Sequence, residues 1–164
     1  MTYTTYEINN CSQYLGMLSE QFKEFKKDPT SSRKAILTTI LAYHLREWLW
    51  NEHEARISEQ LSIQDVSEYN KHINDACPNF EVIRQLCNGS KHYKYDEQKD
   101  GQRIVKSTKL EKGDFSHTEF RPALDIGVLI IDTEAGKINA IDLLSKAIEY
   151  YESLFSDWKL QKKR

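Results

Sequence analysis

Residues 36–50, ILTTILAYHLREWLW, decide the fold. Wound at 3.6 residues per turn, Ile36, Leu37, Ile40, Leu41, Tyr43, Leu45, Trp48, Leu49 and Trp50 leave almost no polar face. A helix that is apolar nearly all round is surrounded by other elements. The segment therefore predicts a central helix over about 29–53, and its neighbours should show one-sided patterns. The few polar side chains within it, Thr38, Thr39, His44, Arg46 and Glu47, become the residues to explain.

The neighbours do read as one-sided. Ile8, Cys11, Leu15, Leu18, Phe22 and Phe25 recur at intervals of three and four, which predicts a helix over about 5–27. Asp28-Pro29 ends it, and that pair is expected to cap and open the central helix. Downstream, Ser62 with Asp65 resembles a capping box, opening a helix over 63–76. Pro78 opens another over 79–92, which Gly89 either ends or sits within. Then the period changes: 103–110, 115–121 and 124–132 read as strands divided by turn residues. Glu134 to Lys137 reads as one more turn, and a last helix over 140–160 starts at Asn139. The expected architecture is α+β and mainly α, a four- or five-helix bundle with a small antiparallel sheet inserted before the C-terminal helix.

The chain has 164 residues, 39% of them hydrophobic, which suits one domain with a substantial core. A formal net charge of -2 excludes a globally basic nucleic-acid binder but leaves room for a local patch. Cys11, Cys77 and Cys87 are odd in number and form no CxxC pair, so reduced thiols and a cytoplasmic location are expected. No secretory signal is evident, and no apolar run approaches the ~20 residues of a membrane span, so no membrane association is expected. The histidines at 44, 53, 72, 92 and 117 lack zinc-finger spacing, and His53-Glu54 lacks the second histidine of a zincin. No metal site and no cofactor are expected.

Two polar groupings could carry chemistry. If a helix runs through Gly89, then Arg84, Asn88, Lys91, His92 and Tyr95 fall on one stripe. Such a stripe suits a phosphate or carboxylate, with His92 titrating near neutral pH. The plain alternative is a solvated helix face. His44 shares a face with Leu37, Leu41 and Trp48 and is expected to point into the bundle. There it is either a core histidine bonded to a carbonyl or tyrosine, or an acid–base partner of His92.

A helical chain with Arg and His a few residues apart resembles the HEPN superfamily, many of whose members are metal-independent endoribonucleases or toxin–antitoxin partners. Arg46 with His53 carries the likeness, over about residues 5–95 and the last helix; Arg84 and His92 are spaced one residue too far for the motif, and the strands over 103–132 depart from the family. The chain is also similar to small bacterial proteins of no assigned activity that pair a His-x-x-(Asp/Glu)-Trp helix with an Asn-Gly-x-Lys-His segment. His44, Glu47, Trp48, Asn88, Gly89, Lys91 and His92 match it. The HEPN resemblance implies RNA cleavage or RNA binding without a metal. His92, His44 and Lys91 would be catalytic, and Arg84, Asn88, Tyr95 and Arg46 would bind substrate. A homodimer would concentrate the basic groups of two subunits. The competing expectation is a non-catalytic module that docks a protein partner, and a pocket beneath the sheet is a third.

Overall fold

The computed structural model describes residues 6–92, 101–111 and 127–158. Among these, five helices and three strands follow in the order α1 (Cys11–Lys27), α2 (Ser32–Leu61), α3 (Val66–Ala76), α4 (Asn79–Lys91), β1 (Val105–Glu111), β2 (Val128–Thr133), β3 (Gly136–Asn139) and α5 (Ala140–Asp157). The fold is α+β and mainly α, with a three-stranded antiparallel sheet before the last helix, as the sequence implies. The expected strand over 115–121 lies outside the described residues. No described helix is long and apolar enough to cross a membrane.

Helix boundaries follow the side chains able to cap them. Asn10 accepts the Gln13 N–H and starts α1 six residues later than the periodicity suggests, because Ile8 packs on the core from outside the helix. Asp28 closes α1 instead of opening α2. Its carboxylate is occupied by Lys34 Nζ at 3.0 Å and Thr30 Oγ1 at 3.1 Å, and Ser31 takes the cap by accepting the Lys34 N–H. Ser62 is likewise no N-cap; it ends α2 in the left-handed conformation, at φ 55° and ψ 41°. Asp65 caps α3 through the N–H groups of Ser67 and Glu68. At the turn between β2 and β3, Gly136 adopts φ 128°, which a side chain would resist.

The largest departure is α2, which runs to Leu61 rather than 53. The polar run from Asn51 to Arg56 hides the continuation, and Ile57 then re-enters the core fully buried. The helix bends at His53, whose φ of -129° and ψ of 18° are not helical. As expected of a central element, α2 packs against α1, α4 and α5. Thr38, Thr39, Ala42, Leu45, Leu49, Trp50 and Ile57 form its buried face. Thr38 and Thr39 are accommodated there because their hydroxyls donate to the carbonyls of Lys34 and Ala35, each at 2.8 Å. Across the core, Tyr151 of α5 donates its buried hydroxyl to the Ala42 carbonyl at 2.7 Å.

Candidate functional site

The helices and the sheet do not close completely on one another. Between the first turns of α2, the end of α4, the start of α5 and one face of the sheet lies a cavity of about 520 Å³. Its interior is apolar, formed by Leu86, Leu129, Ile131, Leu143 and Leu144, and the exposed Ile36 also lines it. Most of its polar groups come from two places: Asn88, Ser90 and His92 at the end of α4, and Arg103, Lys106, Ser107 and Thr108 on and before β1; Ser32, Thr39 and Gln85 add to them. Concave, mostly apolar space with a few convergent polar groups is the usual form of a ligand site.

Gly89 does not interrupt α4, which continues to Lys91. A Cβ at Gly89 would meet nothing within 4 Å, so neighbouring protein atoms do not require a glycine there. The residue lines the cavity, and its missing side chain leaves that wall open. His92 is the C-cap, extended at φ -112° and ψ 128°, with its N–H donated to the Asn88 carbonyl at 2.8 Å. The histidine thus leaves the helical stripe and stands exposed at the cavity edge.

β1 is held in place by Gln85, which is 7% exposed. Its side-chain oxygen accepts the N–H groups of Ile104 and Val105 at 2.8 and 3.0 Å, and its amide donates to the Gln102 carbonyl at 2.7 Å and to Glu81 at 3.0 Å. All the capacity of that amide group is engaged, as a buried polar side chain requires. Immediately after this anchor the β1–β2 register slips. Val105 pairs with Thr133 and Ser107 with Asp132, so Lys106 is an extra residue in the ladder. A bulge of this kind bends the strand and re-aims its side chains. The Arg103 guanidinium donates to the Val105 and Lys106 carbonyls at 2.9 and 3.2 Å, satisfying the acceptors there.

The structure distributes the residues picked out by sequence. Asn88 and His92 line the cavity. Arg84 is paired with Glu81 through two contacts of 2.9 and 2.7 Å, away from the lining. Lys91 is exposed on a different side of α4, close enough to Cys87 to act on its thiol electrostatically, as is Arg46. Tyr95 lies outside the described residues. Arg46 stacks over Tyr43 at 4.3 Å and lines a separate cleft of about 210 Å³ with Glu47, Val66, Tyr69 and Asn70.

His44 does not point into the bundle. Its side chain is 44% exposed and lies 3.6 Å from Glu47, one turn along the same helix. The stripe through Leu37, Leu41 and Trp48 is only half-covered, and Leu37 itself is 39% exposed. His44 is not among the residues lining the cavity that His92 borders. Arg103 and Lys106 are the cavity residues that sequence reasoning missed, and only the turn-like composition before β1 hinted at an irregular strand.

All three cysteines are free thiols and buried. Burial raises the thiols of Cys77 and Cys87 above their ordinary range, which argues against either as a nucleophile. No family model matches the chain, and no curated protein or solved structure matches it either.

Proposed function

We propose that the protein binds RNA at this cavity and is a metal-independent endoribonuclease of the HEPN-like kind. The observation that carries the reading is the meeting of an apolar hollow with His92 and Asn88 on one lip and Lys106 on the other. A base from a single strand enters the apolar interior, where stacking and desolvation hold it. Lys106 holds the phosphate, which is the contact that makes binding salt-dependent. Asn88 orients the nucleotide. His92 takes the proton of the 2′-OH as that oxygen bonds to phosphorus; the bond from phosphorus to the 5′-oxygen breaks, that oxygen takes a proton from water, and a 2′,3′-cyclic phosphate is left. DNA lacks the attacking group. A net charge of -2 keeps the overall affinity modest, so local geometry must supply the selectivity.

A second reading, a protein-docking module, has one observation in its favour: Ile36 and Leu37 at the start of α2 are 45% and 39% exposed. Incubation with single-stranded RNA and DNA, each with and without chelator, separates the two. Cleavage or retention of RNA alone, unaffected by chelator and lost in Lys106→Glu, is the expected result. RNA neither bound nor cut, or DNA treated equally, would overturn the RNA reading and leave the docking surface.

A further inference from the structure

The bend in α2 coincides with a grouping of side chains that the RNA reading does not use. Cys11, in the first turn of α1, faces Glu52 and His53, and one ligand-capable atom from each lies within 4.8 Å of the other two. Adjacent residues of a regular helix point about 100° apart and do not converge. Here the non-helical dihedrals of His53 bring its Nε2 to 3.6 Å from Glu52 Oε1. Sharp bends in helices have identifiable causes, and residues 49–57 contain neither proline nor glycine.

We propose that Cys11, Glu52 and His53 bind one divalent transition-metal ion, with zinc as the best match to a thiolate, an imidazole and a carboxylate. Zinc bonds of about 2.3 Å to sulfur and about 2.0–2.2 Å to nitrogen and oxygen set tetrahedral ligand spacings of roughly 3.5 Å. The Glu52–His53 distance already has that value, and the thiol needs about 1 Å of adjustment. The outer oxygen, Glu52 Oε2, accepts the Cys11 N–H at 2.6 Å, which fixes the carboxylate and leaves Oε1 toward the imidazole. Cys11 is fully buried, whereas the side chains of Glu52 and His53 are 36% and 22% exposed, so an ion can enter from one side and keep a water as fourth ligand. Burial first, then the hydrogen bond and charge of Glu52, hold the Cys11 thiol well above its ordinary range. A cation placed between the groups reverses that local field. The ion would tie the start of α1 to the bend of α2, about 20 Å along α2 from the cavity.

The test is titration of the reduced, chelator-treated full chain with cobalt(II), followed by displacement with zinc. One equivalent should bind and produce the near-ultraviolet thiolate-to-cobalt charge-transfer band together with visible bands of a four-coordinate ion. Cys11→Ser should lose the charge-transfer band, while the double variant Cys77→Ser/Cys87→Ser should keep it. His53→Ala removes a side chain that is 22% exposed, at a bend where the helix is already irregular, and circular dichroism checks that the variant stays folded. Its affinity should fall by more than the ~10–100-fold typical of losing an outer-shell partner. A wild-type chain without the band, a band that survives in Cys11→Ser, or an unchanged affinity in His53→Ala would each overturn the site.

Discussion

The side-chain oxygen of Gln85 receives the backbone N–H of Ile104 at 2.8 Å, so one amide on α4 fixes where the sheet begins. Gln85→Leu keeps the volume but strips partners from Ile104, Val105 and Gln102. A loss of about 1–3 kcal/mol is expected, because a partly buried donor left unpaired carries its desolvation penalty. Urea denaturation measures it. Hydrogen exchange at Ile104 and Val105 should accelerate more than exchange in α1, and uniform acceleration would show that Gln85 contributes only general stability.

His92→Ala should leave the melting midpoint within a few degrees, since substitutions at exposed positions usually cost under ~0.5 kcal/mol. It should abolish RNA cleavage. His44→Ala should also be nearly neutral for stability, given its exposed ring, and should spare RNA binding because His44 does not line the cavity. Cleavage retained in His92→Ala would remove that histidine from the site.

Gly89→Ala separates stability from function. The added methyl meets open space, and alanine is favoured over glycine in a helix interior by about 1 kcal/mol, so the denaturation midpoint should rise. The same methyl projects from the cavity wall, and RNA affinity should fall. A more stable variant that binds RNA as well as the parent would mean the cavity at this wall is not the binding surface.

Neighbouring tyrosines on α5 should respond oppositely to loss of their hydroxyls. Tyr151→Phe removes a buried hydrogen bond to Ala42 and should cost about 1 kcal/mol. The Tyr150 hydroxyl is buried with no partner among the described residues, although its ring packs on Phe80 at 5.7 Å. Tyr150→Phe should therefore be neutral or stabilising. Thermal melts of the two single variants decide it, and equal destabilisation would contradict the assignment.

Alkali should unfold the protein earlier than exposed tyrosines would allow. Burial pushes Tyr14 and Tyr150 up to about 12, and raises Tyr69 and Tyr151 further. A proton bound more tightly in the folded state gives stability that is complete below the unfolded value near 10 and is lost as pH rises through the folded value. Between ~10 and its own folded value, each such tyrosine then removes about 1.4 kcal/mol per pH unit. Phenolate absorbance should appear in two stages, the second coinciding with loss of circular dichroism. A single smooth titration with structure intact would refute this.

The helices were legible because their apolar residues recur at helical period, and Asn139 opens α5 where its side chain suggested. The phase of α2 was not. With apolar residues all round, Leu37, Leu41, His44 and Trp48 look as good a buried face as Thr38, Ala42, Leu45 and Leu49, and only the packing of α1, α4 and α5 selects the second. β3 escaped notice because four residues beginning with glycine show no alternation. The cavity draws its walls from elements more than a hundred residues apart, so no local spacing encodes it. For the same reason Cys11, 41 positions from Glu52, matched no metal-ligand pattern.

The extra residue at Lys106 gives this strand one place where its length can change. Ser107, Thr108 and Lys109 are exposed, so replacing any one of them changes a single surface side chain, and losing the extra residue would leave Ser107 to Glu111 opposite the same partners on β2. Among descendants of this gene, single-residue insertions and deletions within 105–111 should therefore collect at the bulge, and a protein engineer grafting a new lip onto the hollow can vary the number of letters there as well as their identity.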